Sequence, residues 1–263
     1  MPGAAHRDVL EKWHGAGNDF LVALRPSGDA RLDGATAARW CDRHAGIGAD
    51  GLLEGTMTGT GLAMRLHNAD GSPAEVSGNG LRCLVAAATR HGLVPEGTID
   101  VATDAGMRRV TTALDPGGAR AWGEVDMGTV TVHDGGTLDS GVVAVVGNPH
   151  VVVDDDGGDD AHLVARAAAL TASLGAGANV EFLTVEGPTR LRIRVVERGA
   201  GTTLACGTGS CAAAAVAHRL GLTGTEVTVA NPGGDLSVAL DGQTARLSGP
   251  AVRIGAIELD EAW

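Results

Sequence analysis

Two stretches of the 263-residue chain, AEVSGNGLRC (74–83) and LACGTGSCAA (204–213), are variants of one glycine-rich element. Ser77 stands before the first glycine motif and Cys206 stands before the second, 129 positions further along the chain. Thirteen residues after each of them there is an arginine, and a Gly-Leu pair follows it. Repetition at a fixed interval indicates that a structural unit has been duplicated.

Two further pairs of motifs repeat in the same order. GIGAD (46–50) matches AGAN (176–179) at the same interval, and GND (17–19) matches GNP (147–149) at an interval of 130. The chain is therefore predicted to contain two halves of one ancestral fold. We place the first half at 1–126, joined by a last strand at about 251–263, and the second at 127–250.

Local patterns indicate the same architecture in each half. Seven β-branched, often alternating segments predict strands, and the segments 35–45 and 160–172 predict helices. The segments that begin at Gly78 and Gly207 are apolar on nearly every face, which is typical of a buried helix. The predicted fold class is α+β, with two pseudo-symmetric domains, each a curved, mostly antiparallel sheet around a central helix.

The charge of the chain argues against several classes of partner. It carries 20 basic and 32 acidic residues, a formal charge of −12, which opposes nucleic acid or an anionic membrane as the main partner. No apolar run approaches the length of a transmembrane helix, and the first residues lack a signal-peptide pattern. We expect a cytoplasmic protein whose four cysteines are reduced thiols.

The composition also argues against the common cofactors. Lys12 is the only lysine in the chain, and it lies in a predicted strand with no pyridoxal phosphate motif near it. No Walker loop occurs. Cys41 and His44 have the spacing of half a zinc site, but no second ligand pair accompanies them. The sequence therefore predicts no cofactor and no metal.

The paired glycine motifs suggest a specific chemistry. A helix N-terminus presents unpaired backbone N–H groups and the positive end of the helix dipole, which suits a carboxylate. Cys206 at such a terminus is predicted to have a pKa below the usual value of about 8.5, so that it can act as a base near neutral pH. Two such groups on opposite faces of an α-carbon would make a cofactor-independent racemase or epimerase. Glycine-capped helices without any catalytic role are the alternative.

Six motifs of the chain resemble those of a known family. HGAGNDF (14–20), RHAGIGADG (43–51), NADGSPAEVSGNGLRC (68–83), GNPH (147–150), NVEF (179–182) and ERGAGTTLACGTGSCA (197–212) are similar to the signature blocks of diaminopimelate epimerase. The resemblance covers nearly the whole chain. It implies the fold described above and a two-thiol mechanism that interconverts LL- and meso-diaminopimelate, a precursor of lysine and peptidoglycan.

The resemblance also implies which residues contact this small-molecule substrate. Polar side chains would bind its ends, and backbone groups of both glycine motifs would hold the reacting carboxylate. Arg198 can pair with the distal carboxylate, and Asn68, Asn179 and Glu197 can accept hydrogen bonds from the distal ammonium. The full substrate-binding set is Asn18, Asn68, Gly78, Asn79, Asn148, Asn179, Glu197, Arg198, Gly207 and Thr208.

Ser77 departs from the pattern, because the family has its first catalytic cysteine at this position. A serine hydroxyl can donate a proton but is a poor base unless another group activates it. Cys206 and Ser77 are therefore the predicted catalytic pair, with one base altered, either by engineering or in nature. In the second case the protein is a Ser/Cys racemase, dehydratase or isomerase acting on another amino acid. A third hypothesis is an amino-acid-binding protein that has lost catalysis.

Two points stay open in the sequence. His150 of the GNPH motif either helps to position the substrate or only caps a strand. The residues also do not decide between a monomer and a homodimer.

Overall fold

The computed structural model describes residues 9–25, 31–59, 61–172, 177–199 and 201–260. Ala176 and Ala200 of the quoted motifs, and the ends 1–8 and 261–263 of the predicted first half, lie outside these residues. Contacts between residues divide the chain into two compact units. Among the described residues, the first unit comprises 9–15, 19–125 and 250–260, and the second comprises 16–18 and 126–249.

The chain from Val9 to Thr129 forms eight strands and two helices. They are β1 (Val9–Gly15), β2 (Asn18–Arg25), α1 (Gly34–Cys41), β3 (Gly51–Thr58), β4 (Gly61–Asn68), β5 (Pro73–Ala74), α2 (Gly78–Arg90), β6 (Gly97–Thr103), β7 (Gly106–Leu114) and β8 (Arg120–Thr129).

The chain from Thr131 to Ala256 forms nine strands and two helices. They are β9 (Thr131–Val132), β10 (Val142–Val146), β11 (Asn148–Asp154), α3 (Asp160–Thr171), β12 (Asn179–Gly187), β13 (Arg190–Glu197), β14 (Gly201–Thr203), α4 (Gly207–Arg219), β15 (Glu226–Asn231), β16 (Gly234–Asp241) and β17 (Thr244–Ala256).

The two units repeat one pattern of strand pairing. In the first, β2 pairs parallel with β3, β3 antiparallel with β4, β4 parallel with β6, and β6 antiparallel with β7. In the second, β11, β12, β13, β15 and β16 follow one another with the same sequence of orientations. The first helix of each unit follows β2 in the first unit and β11 in the second. The central helix follows β5 in the first unit and β14 in the second. The order and pairing of the strands and helices thus show the same duplication as the sequence motifs.

Most pairings are antiparallel, and each unit has a buried helix at its centre. Helix α2 is buried from Gly78 to Ala88 and packs against β1, β3 and β7. Helix α4 is buried almost as completely and packs against β10, β11, β12, β13 and β16. The α+β fold class predicted from the sequence is confirmed.

Helix α1 is shorter than predicted. It starts after Asp33, whose carboxylate accepts the N–H of Thr36 at 2.8 Å, a standard N-cap. It ends at Cys41 instead of residue 45, because the Asp42 carboxylate accepts the N–H groups of His44 and Ala45 at 2.7 and 2.6 Å. This local turn competes with continuation of the helix.

Among the described residues, no helix is both long enough and apolar enough to cross a membrane. The four cysteines all lie in described segments, are buried, and form no disulfide.

Candidate active site

Ser77 and Cys206 occupy the same structural position in their units. Each is the N-cap of a 13-residue helix and has extended backbone angles, φ −135° and ψ 122° for Ser77, φ −122° and ψ 116° for Cys206. The Ser77 Oγ accepts the N–H of Gly80 at 3.0 Å, and the Cys206 Sγ accepts the N–H of Gly209 at 3.3 Å. The hydroxyl and the thiol are therefore equivalent groups in a repeated element.

The first turn of each helix directs backbone N–H groups towards the cap. The first helical bonds run from Leu81 N–H to the Ser77 carbonyl, 2.8 Å, and from Ser210 N–H to the Cys206 carbonyl, 2.9 Å. The two residues directly after each cap lie before the first of these bonds. Helix geometry therefore provides no acceptor within the helix for their N–H groups. These residues are the predicted carboxylate binders Gly78, Asn79, Gly207 and Thr208.

The electrostatic environment of Cys206 differs from the prediction. Burial raises the pKa of the Cys206 thiol well above its ordinary value, and the carboxylates of Glu197 and Glu181 raise it further. Hydrogen bonds from Thr208 and from Gly209 N–H lower the pKa but do not compensate. The prediction that the helix terminus alone would lower this pKa was wrong, because burial of the thiol, and then two acidic side chains from neighbouring strands, oppose the helix dipole.

Two buried residues missed by sequence reasoning hold the backbone of Cys206. The Asn231 Oδ1 accepts the Cys206 N–H at 3.4 Å, and the Ser210 hydroxyl donates to the Cys206 carbonyl at 2.8 Å. Asn231 also donates to the Ser210 Oγ at 3.2 Å. Ser210 follows the glycine motif directly, whereas Asn231 lies at the end of a strand, where the sequence carries no signal for this role.

Asn18 belongs to the same unit as Cys206. It follows a tight turn in which Ala16 has φ 52° and Gly17 has φ 84°. The turn packs so closely on Gly233 that a Cβ there would lie 2.0 Å from the Ala16 carbonyl oxygen. Gly233 N–H in turn donates to the Leu204 carbonyl at 2.8 Å. These contacts connect the Asn18 turn to the segment that leads into Cys206.

Three residues of the predicted distal set lie in the second unit: Glu197 and Arg198 at the end of β13, and Asn179 at the start of β12. The Glu197 Oε1 accepts the Thr203 hydroxyl at 2.7 Å, and the Asn179 Oδ1 accepts the Arg198 N–H at 3.0 Å. One of the two lone pairs of the Asn179 oxygen is thus engaged by the chain itself. The side chain of Arg198 is exposed.

His150 and Glu181 form a contact that the sequence did not predict. Both side chains are 0% exposed, and the His150 Nδ1 lies 2.7 Å from the Glu181 Oε1. The His150 Nε2 lies 3.0 Å from the side-chain oxygen Oδ1 of Asn148. His150 was one of the open points, and it now proves to be buried beside two residues of the signature motifs.

The first unit holds Asn68, Ser77, Gly78 and Asn79. Asn68 is exposed at the end of β4 and donates from Nδ2 to the Ser72 hydroxyl at 3.0 Å. The Asn79 Oδ1 accepts the guanidinium of Arg82, a fully buried residue, at 2.7 Å. Arg82 also donates to the Gly78 carbonyl at 3.3 Å and was not singled out from the sequence, although it follows the glycine motif.

The structure therefore places eight of the twelve predicted site residues in the second unit and four in the first. The second-unit residues are Asn18, Asn148, Asn179, Glu197, Arg198, Cys206, Gly207 and Thr208. Within the segments that the structure describes, no cluster of three or more His, Cys, Asp or Glu residues could hold a metal ion.

Comparison with known proteins gives a family model that matches nearly the whole chain. The diaminopimelate epimerase model matches residues 11–133 and 142–256. The diaminopimelate epimerase of Desulforudis audaxviator is 39% identical over 92% of this chain and 96% of its own length. That of Thermobifida fusca is 40% identical over 92% and 94%. The crystal structure of a probable proline racemase from Agrobacterium radiobacter has a similar fold, with a TM-score of 0.73 and 17% identity over 97% of this chain and 93% of its own.

Proposed function

The chain belongs to the diaminopimelate epimerase family, a family of isomerases, and from this premise we propose that it is a cofactor-independent epimerase acting on LL- and meso-2,6-diaminopimelate. Cys206 is the acid/base on one face of the reacting α-carbon, and Ser77 is the altered partner on the other. The single observation that carries this proposal is the equivalent N-cap position of the two residues on repeated helices, with closely similar backbone angles.

The reaction needs a base and an acid that exchange roles between the two directions. The base removes the α-proton, and the electron pair of the broken C–H bond moves into the adjacent carboxylate. Backbone N–H groups of Gly78, Asn79, Gly207 and Thr208 stabilise the developing negative charge. The acid then donates a proton to the opposite face, which forms the new C–H bond and inverts the centre.

Ser77 makes the two directions unequal. Its hydroxyl can donate a proton but is a poor base without an activating group. The isomer whose α-hydrogen faces Cys206 is therefore turned over, whereas the isomer whose α-hydrogen faces Ser77 reacts slowly or not at all.

The distal residues support a substrate with two amino-acid heads. Arg198 offers a guanidinium that is suited to a carboxylate, and Glu197 and the remaining groups of Asn179 suit an ammonium and a carboxylate. A racemase of simple amino acids has no use for such a set.

The test follows α-hydrogen exchange by proton NMR in deuterium oxide with LL- and meso-diaminopimelate. The chain as given is compared with Ser77→Cys and with Cys206→Ser. We expect Ser77→Cys to raise interconversion by about a hundredfold or more, the usual contribution of one acid/base group, and Cys206→Ser to abolish exchange. A folded Ser77→Cys protein that interconverts neither isomer would overturn the proposal.

A Ser/Cys racemase or dehydratase of another amino acid is the second candidate, and Ser77 is the observation that favours it. In that case exchange or elimination on a different amino acid would proceed with Ser77 in place, and Ser77→Cys would not increase it. The same NMR assay, run with a panel of amino acids, separates the two functions.

A further inference from the structure

The buried pair His150–Glu181 has no counterpart in the first unit. The interval of 129 that aligns Cys206 with Ser77 aligns Glu181 with Leu52, which is also 0% exposed. In the first unit, where a serine caps the central helix, an apolar residue thus occupies this core position. A purely structural role in the second unit would be served equally well by leucine.

The Glu181 carboxylate is also poorly compensated. Its Oε1 contacts His150, but its Oε2 accepts no hydrogen bond from the described residues although it is buried. A buried carboxylate with one hydrogen bond costs stability. Such a cost indicates that the charge has a function.

The carboxylate lies against the first turn of α4. A Cβ on Gly209 would be 2.4 Å from the Glu181 Oε1 and 3.1 Å from its Cδ and Cγ. Gly209 is the residue whose N–H donates to the Cys206 Sγ. Glu181 therefore places negative charge beside the N-terminus that would otherwise stabilise a thiolate.

His150 can hold this charge without neutralising it. A distance of 2.7 Å fits a charge-assisted bond from Nδ1–H to a carboxylate. Nε2 lies 3.0 Å from the Asn148 Oδ1, and a half-turn of this amide about its Cβ–Cγ bond places its NH₂ group there instead, as a donor to Nε2. A neutral imidazole with its proton on Nδ1 satisfies both contacts and leaves Glu181 ionised.

Few other charged groups face Cys206. Glu197 of β13 is the other acid that raises the pKa of Cys206, and its effect is larger than that of Glu181. Strand β10 has no titratable side chain, and the acids of β15 and β16, Glu226, Asp235 and Asp241, are exposed. On β13, Arg190 and Arg192 are also exposed, and Arg194 pairs with Asp155.

We propose that Glu181, held by His150 against the first turn of α4, is a positioning residue that keeps Cys206 protonated in the resting protein. Proton abstraction by Cys206 then starts only from the small thiolate fraction, after the thiol proton has passed to solvent, so Glu181 slows the turnover of the isomer whose α-hydrogen faces Cys206. This assignment deepens the proposed function and rests on it for its catalytic meaning.

The test titrates the Cys206 thiol without substrate, so that it is independent of which amino acid the protein acts on. Thiolate ultraviolet absorbance is recorded against pH, and the Cys206→Ser protein provides the difference spectrum. Burial raises the pKa of Cys41 and of Cys83 to about 12, so these thiols do not interfere at lower pH. Glu181→Gln removes the charge and keeps an oxygen for His150, and Glu186→Gln, on the same strand but partly exposed, is the matched control.

We expect Glu181→Gln to lower the titration midpoint of Cys206 by about one pH unit or more, and Glu186→Gln to leave it unchanged. An unchanged midpoint in folded Glu181→Gln, or an equal shift in Glu186→Gln, would overturn the proposal. If Glu181→Gln does not fold, Glu181→Leu, which copies Leu52, removes the same charge.

Nitrogen NMR of His150 in the unsubstituted protein is an independent check. A neutral ring with the proton on Nδ1 at neutral pH supports the assignment. A doubly protonated ring contradicts it, because the pair would then carry no net charge.

Discussion

At the scale of single residues, the two caps differ by one atom, and this difference has a measurable effect on stability. The Ser77 Oγ accepts the Gly80 N–H, so Ser77→Ala should destabilise the protein by about 1 kcal/mol, the usual value of an N-cap. Ser77→Cys should lose less, since the Cys206 thiol makes the same contact in the second unit. Urea unfolding of the three proteins measures both effects, and equal stability of the serine and alanine forms would contradict the assigned cap.

The raised pKa of Cys206 predicts the pH dependence of exchange. Burial, Glu197 and Glu181 all favour the thiol, so the thiolate fraction is small at neutral pH and increases about tenfold with each pH unit below the pKa. Exchange of the isomer that faces Cys206 should therefore accelerate from pH 6 to beyond pH 9. A rate that levels off at or below pH 7 in the NMR assay would show that bound substrate or another group offsets these carboxylates.

At the scale of the element, the two central helices differ in how closely their first turns are packed. Gly209→Ala would place a Cβ 2.4 Å from a carboxylate oxygen that His150 holds in place. Gly80→Ala in α2 has as its nearest neighbours Leu53 Cδ2, Ser77 Cβ and Ser77 Oγ, at 3.1, 3.2 and 3.4 Å. We expect Gly209→Ala to cost about 1–3 kcal/mol through overpacking and Gly80→Ala to cost about 1 kcal/mol less.

Thermal or urea unfolding of the matched pair tests this difference, and α-hydrogen exchange gives a second readout. Gly209→Ala should also impair exchange, because displacement of its N–H removes a hydrogen bond to the Cys206 Sγ. Equal effects of the two substitutions on stability would mean that Glu181 adjusts to the methyl group.

The elements show what the sequence could predict. The buried helices α2 and α4 were predictable because their apolar faces and glycine caps are local signals. The end of α1 was missed because Asp42 diverts the chain by side-chain bonds to His44 and Ala45, which compete with an otherwise regular helical pattern. Strands such as β7, with the adjacent arginines Arg108 and Arg109, lacked the alternation of apolar and polar residues that identifies a strand.

At the scale of the whole molecule, the duplication was visible because motif pairs retain a nearly constant interval. The exchange of cysteine for serine between the two caps was visible as well, but the buried charges that distinguish the halves were not. Arg82 is buried in the first unit, where its counterpart in the second is Cys211, whereas Glu181 is buried in the second, where its counterpart is Leu52. Such charges depend on side chains that meet from distant strands, and a sequence pattern does not report burial of this kind.

In the first unit, a residue of β1 contacts a residue of β17, far away in sequence. This contact predicts how the stability of the protein changes at low pH. The Glu11 carboxylate of β1 accepts the Trp13 Nε1–H at 2.8 Å and the Arg253 Nε–H at 2.7 Å. Arg253 lies 242 residues further along the chain than Glu11. His91, at the end of α2, lies 3.3 Å away. Burial acts to raise the pKa of Glu11, but the hydrogen bonds from Trp13, Arg253 and His91 outweigh it and leave the pKa lowered.

A lowered pKa means that Glu11 stabilises the fold when it is ionised. Its contribution is complete above the unfolded pKa of about 4.3 and is lost as the pH falls through the lower folded value. Glu11→Gln leaves the Arg253 guanidinium without its carboxylate and should cost about 3 kcal/mol at pH 7. Asp100→Asn breaks an exposed pair with Arg109 in the same unit and should cost about 1 kcal/mol or less.

Urea unfolding of the three proteins between pH 7 and pH 3 separates the two effects. The difference between the unsubstituted protein and Glu11→Gln should narrow as the pH falls below about 4.3, because the protonated carboxyl then resembles the amide. A difference that stays constant over this range would mean that Glu11 acts by its shape alone. The first unit would then be joined across the two ends of the chain by packing and backbone pairing between β1 and β17, with no contribution from the charge at Glu11.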